Sequence, residues 1–186
     1  MIDKEAKLKA IAEILQGRVV DDTQRVEICV KGTILGFPAT LEAFRAGFPF
    51  GVMYFIETEV MEDSERDPEA FYYTLMPRYA KGFLRFITRI LLLESKGQRT
   101  GDKRFDGRYI SSYNKADEAE RFIRYPGVVD KIEQLYKITQ FGEMGIRAQA
   151  GVYLSQQQSF NKIDLDKVRV TFKLLGELGQ VLFEAF

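Results

Sequence analysis

Two aspartates stand four apart in the stretch Gly101-Asp102-Lys103-Arg104-Phe105-Asp106-Gly107-Arg108-Tyr109. Carboxylates at that spacing can share a cation or divide acid and base roles between them. The further oxygen ligands of a calcium loop are missing. A structural reading of the same residues competes: Asp102 caps a turn, Phe105 anchors the loop in the core, and Asp106 pairs with Arg104 or Arg108. Asp102 and Asp106 are the only catalytic candidates. The chain has no histidine, no tryptophan and a single cysteine. That removes the commonest general base, zinc sites built from histidine and cysteine, and any intrachain disulfide. The sequence also has no phosphate-binding loop, dinucleotide fingerprint, nucleophile elbow or zinc spacing. No metal and no cofactor are therefore expected, and the balance leans away from an enzyme. Cys29 has Lys31 and Arg25 at alternate positions, which favour a thiolate, and Glu27, which opposes it. An inert, partly buried thiol is the expected state.

Two further groups can bind rather than react. Tyr54, Phe55, Phe71, Tyr72 and Tyr73 lie in strand-forming runs. Tyr54 and Tyr72 can line a pocket for an apolar or planar ligand, or all five can serve as cross-strand packing. The segment 78–94 is amphipathic at helical spacing. Phe83, Phe86, Ile87, Ile90 and Leu91 fall on one face, and Arg78, Lys81, Arg85 and Arg89 on the other. Such a helix can pack on a sheet, form an oligomer or partner surface, or lie on an anionic membrane surface.

Charge supports surfaces over chemistry. Lys and Arg total 27, as do Asp and Glu, so a general nucleic-acid binder is not expected. The balance is uneven along the chain. Residues 1–75 hold 8 basic and 14 acidic groups, and residues 76–108 hold 9 and 3. The charged start MIDKEAKLKA lacks the apolar core of a signal peptide. No apolar run approaches the roughly 20 residues that span a bilayer. With one cysteine, a cytoplasmic setting is expected.

The elements that must position these residues read as follows. A helix covers 3–16, with Asp3 as N-cap and Gly17 as C-cap. Val26, Ile28 and Val30 alternate with charged residues as a strand, and Lys31-Gly32 turns it into Thr33–Leu41. Pro38 marks that second run as an edge or a bulge. Gly51–Val60 is a strand whose Glu57 and Glu59 mark a solvated face, and Phe71–Met76 returns as its hairpin partner. A connector then leads to a short strand, Arg108–Tyr113. Asn114 caps a helix and Pro126 starts the next. The hairpin 142–149 and 152–157 and a long helix, 164–186, complete the chain. Hairpins dominate and βαβ alternation is absent, which predicts an α+β fold: an antiparallel sheet built from hairpins, packed by helices including a long C-terminal one. One domain spans 1–186, with 1–96 and 97–186 as possible halves.

The run GDKRFDGRYISSYNKADEAERFI resembles a segment of loosely related, uncharacterised bacterial proteins. In these a GD-x-x-FD pattern leads into a short strand, a polar helix start, hydrophobic helices, a hairpin and a terminal helix. The resemblance covers about residues 97–186. It implies a recurring domain and brings no function or catalytic residues with it. The expected role is a non-enzymatic interaction domain that self-associates or binds a protein partner. Two alternatives are a small apolar ligand or lipid held between the sheet and the last helix, and peripheral membrane association through 78–94.

Overall fold

Strand alternation in this sequence becomes two rows of residues crossing one sheet. The computed structural model describes residues 4–20, 26–44, 51–58, 69–78 and 99–185. Helix α1 (Lys4–Ile14) is followed by β1 (Arg18–Val20), β2 (Val26–Ile34), β3 (Phe37–Phe44) and β4 (Val52–Glu57). After β5 (Tyr72–Pro77) come the short helix α2 (Lys103–Arg108), β6 (Tyr109–Tyr113), α3 (Ala116–Arg124) and α4 (Val128–Thr139). The hairpin β7 (Glu143–Arg147) and β8 (Gly151–Gln156) leads to the long helix α5 (Leu165–Ala185). The eight strands form one antiparallel sheet in the order β1-β2-β3-β4-β8-β7-β5-β6. The architecture is α+β, with a long C-terminal helix.

Register places Val30, Leu41, Tyr54, Leu154, Met144 and Leu75 directly side by side on neighbouring strands. All six are buried. The next row, on the opposite face, reads Arg18, Lys31, Thr40, Phe55, Tyr153, Gly145, Thr74 and Ser112. Side chains on a strand alternate between faces, so one row defines a core face and the other an outer face. The described helices pack on the core face. Phe172 of α5 meets Tyr54 at 5.2 Å, Phe122 of α3 meets Tyr73 at 6.2 Å, and Phe105 of α2 and Tyr136 of α4 both meet Tyr109. Helix α1 packs on β1, β2 and α5. Each fully buried apolar side chain in this layer contributes about 1.5–3 kcal/mol. Helix α5 comes close to the sheet at Gly176 and Gly179. A Cβ there would sit 3.2 Å from Leu35 and 3.1 Å from Ile56.

Several boundaries differ from the sequence reading. Helix α1 ends with Gln16, not Gly17, in the left-handed region, at φ 49°. The Gly17 amide donates to Ala12 O and the Gln16 amide to Glu13 O, the bond pair of a Schellman end. Strand β2 runs straight through Lys31-Gly32, and the turn is Leu35-Gly36, with φ of 51° and 86°. Two positive φ values match the twist of a two-residue hairpin. Gly32 instead permits a close approach, since a Cβ there would lie 2.2 Å from Leu15 O, where α1 ends against β2. Pro38 lies in an interior strand. In this hairpin Thr33 and Pro38 form a pair without mutual hydrogen bonds, so the prolyl nitrogen points toward β4. The β3–β4 ladder begins at Ala39, one residue past the missing N–H.

The expected β4–β5 hairpin does not form. Strand β4 pairs with β3 and β8, and β5 lies between β7 and β6. The connector before β6 contains α2. Asn114 does not cap α3. Lys115 holds that position, and the Asn114 side chain accepts from the Tyr72 amide and donates to Ala70 O. Gly127, at φ 80°, precedes α4, so Pro126 sits just outside it. The sheet draws on both 1–96 and 97–186.

Candidate functional site

The loop at 100–106 is closed on itself. Asp102 Oδ1 accepts from the Arg104 amide at 2.8 Å and the Phe105 amide at 3.0 Å, which caps α2. Asp106 Oδ1 accepts from the Thr100 amide at 2.9 Å and from Thr100 Oγ1 at 2.8 Å, and Oδ2 accepts from the Gly101 amide at 3.3 Å. The carboxylates are turned onto their own backbone, and Phe105 is buried. The expected pairing of Asp106 with Arg104 or Arg108 is replaced by these amides, while Arg108 pairs with Glu133. Arg78 belongs to the same cluster. Its Nε donates to Asp106 O at 2.7 Å and its amide to Arg108 O at 2.8 Å. Lys81, Arg85 and Arg89 lie outside the described residues, as does the rest of the expected helix past Arg78.

The two tyrosine candidates lie on opposite faces. Tyr54 is buried in the core, donating to Gln156 Oε1 at 3.2 Å, and burial pushes its phenol pKa up. Tyr72 stands exposed on the outer face, on β5 beside Arg147. Cys29 is buried on the outer face beside Glu42 and is in no disulfide.

The outer face holds a grouping that the sequence reading did not assemble. Phe55 of β4 and Tyr153 of β8 are direct partners, with ring centroids 6.4 Å apart. Tyr153 lies over the bare Cα of Gly145: a Cβ there would be 2.1 Å from the ring. Its hydroxyl donates to Glu143 Oε1. Burial, reinforced by that carboxylate, pushes the phenol pKa up, so Tyr153 stays a neutral donor. Two residues along the same strands, Glu57 faces Gly151, and Gly151 faces Arg147 on β7. Glycine is required at 151, because φ is 128° and a Cβ would lie 1.9 Å from Ile56 O. The consequence on the outer face is a gap in the row. Phe55, Tyr153, Gly151, Glu57 and Arg147 line a cleft of about 360 Å³. Among the described residues, neither Glu57 nor Arg147 takes a salt bridge.

A second cleft, of about 420 Å³, lies at the end of the sheet between Thr58, Phe71, Lys115, Arg121 and Leu182. Its Lys115 already pairs with Glu118 at 3.4 Å. The space between the sheet and α5, the place of the alternative apolar-ligand site, is filled where Tyr54 meets Phe172 and where Gly179 approaches Ile56. Among the described residues, no group of three or more Asp, Glu or Cys side chains is placed to hold a metal ion. No described helix is long and apolar enough to cross a membrane.

Glu57 was legible as solvated, and Phe55 as part of an aromatic cluster. The hairpin that sets Gly151 opposite Arg147 was legible, but the β4–β8 pairing that brings Glu57 and Phe55 beside it joins segments about a hundred residues apart. No protein-family model, curated protein or solved structure matches the chain.

Proposed function

We propose that the protein is a non-enzymatic binding domain that holds a small molecule in the outer-face cleft above Gly151. The observation that carries this reading is the gap itself. An aromatic pair walls it, a backbone glycine floors it, and two unlike charges rim it without meeting one another. Its volume lies within the range of about 300–1,000 Å³ that small-molecule sites occupy, and a few polar groups beside aromatic walls are the usual lining. The acid pair at 102 and 106 supports binding over chemistry, since both carboxylates are spent on fixing their own loop. Self-association is the competing use of this face. Against it, Phe55, Met53 and Tyr153 are only half-exposed, and Tyr72 is the one large apolar side chain well exposed among the described residues of that face.

Amide shifts in isotope-labelled protein test the reading. A library of small aromatic and charged fragments should move the backbone signals of residues 55–57 and 151–153 together. Shifts confined to the Lys115–Arg121 cleft would overturn the assignment. So would shifts at 55–57 and 151–153 that appear on raising protein concentration alone, since they would mark a contact between copies.

A further inference from the structure

The charges at the cleft define the ligand more narrowly, and the following inference rests on the binding role just proposed. Neighbouring strands stand about 4.8 Å apart. Glu57 and Arg147, on either side of Gly151, therefore rise from the sheet about 10 Å apart, with no side chain between them. A ligand in that gap meets a carboxylate from one side and a guanidinium from the other. Arginine offers a planar fork of donors that matches a carboxylate, and the Glu57 carboxylate accepts from an ammonium. A purely anionic ligand would face Glu57 unfavourably, with Glu42 and Glu143 sharing a row of the same face beyond Phe55 and Tyr153. A purely cationic one would face Arg147. A molecule that carries both signs close together pairs with both rim charges at once.

The third feature is the aromatic wall. Phe55 and Tyr153 lie two residues along from Glu57 and Gly151, so the apolar part of such a molecule would rest on their rings. Tyr153 cannot turn down toward the sheet, since its ring already covers Gly145 and its hydroxyl is held by Glu143. The wall is therefore preformed, and little ordering is needed on binding. We infer that the cleft takes a free α-amino acid with a flat or apolar side chain: carboxylate on Arg147, ammonium on Glu57, side chain across Phe55 and Tyr153.

The absence of tryptophan supplies the assay. Excited beyond tyrosine absorption, only an added indole fluoresces, so L-tryptophan can be titrated with the intact protein directly. Tryptamine lacks the carboxylate and indole-3-propionate lacks the ammonium. Each should bind at least about tenfold more weakly, the worth of one charge-assisted hydrogen bond. Arg147→Gln should bring L-tryptophan down to tryptamine, and Glu57→Gln should bring it down to indole-3-propionate. Both side chains are on the surface, and thermal unfolding of each variant confirms that the fold is kept. Equal affinity for the three indoles, or no effect of either substitution, overturns the amino-acid assignment. If these indoles still shift the amides of 151–153, the binding role survives that failure. If they bind nowhere and no fragment moves those amides, both fall.

Discussion

Asp102 and Asp106 differ from Glu42 in what surrounds the carboxylate, and that difference sets what each does. Asp102 accepts from two amides at the start of a short helix, where negative charge is favoured, and Asp106 from two amides of the loop before it. Glu42, half-buried on the outer face, has no such set of amides. Burial raises its pKa above the ordinary 4.5. Lys31 opposes this and Glu57 adds to it. The sign follows from linkage. As pH rises through 4.5 the unfolded chain ionises first, so the folded state is progressively disfavoured and Glu42 is destabilising at neutrality. Glu42→Gln should therefore raise the melting temperature at neutral pH, with the gain shrinking to nothing as pH falls below 4.5. Thermal scans across that interval check it, and a difference independent of pH would refute it. Lys7 shows the opposite solution for a buried charge. Its Nζ donates to Asn161 O and Ile163 O, both at 2.9 Å, tying α1 to the turn before α5.

At the level of strands and helices, glycines decide how closely neighbours approach. Gly176 and Gly179 bring α5 down onto the sheet, and Gly145 receives the ring of Tyr153. Alanine is normally the better residue in a strand interior. At 145, however, its Cβ would occupy space 2.1 Å from the Tyr153 ring. Gly145→Ala should destabilise the protein by about 1–3 kcal/mol, the usual cost of overpacking, and turn Tyr153 away from the cleft. Urea unfolding of the single variants and of Gly145→Ala with Tyr153→Ala measures the coupling. The second substitution should remove most of the penalty of the first, whereas additive effects would place the strain elsewhere. The turn between β2 and β3 was misplaced for the same reason. Gly32 reads locally as a turn residue, yet it is small because Leu15 O lies against it.

Across the whole molecule, the sheet interleaves the two halves of the chain. Strand β5 has both of its partners, β6 and β7, in residues 97–186, and the β8 beside β4 comes from there as well. Separate fragments 1–96 and 97–186 should each lack a cooperative urea transition, and mixing them should restore one. A cooperative transition in either fragment alone would show that the halves fold as units.

Alternation, caps and composition by themselves determine much of this protein. They placed α1, β4, the β7–β8 hairpin and α5 within a few residues. They put Glu57 on a solvated face, predicted α+β with an antiparallel sheet, and ruled out histidine chemistry. Those are properties of a segment and its immediate neighbours. Which hairpin lies beside which was beyond them. The choice of β8 over β5 as partner of β4 reflects burial summed over the whole sheet, and no local pattern records that sum. The tertiary fold therefore decided that Asp102 and Asp106 face inward onto their own loop. It also decided that Glu57 stands in one row with the distant Gly151 and Arg147, beside Phe55 and Tyr153.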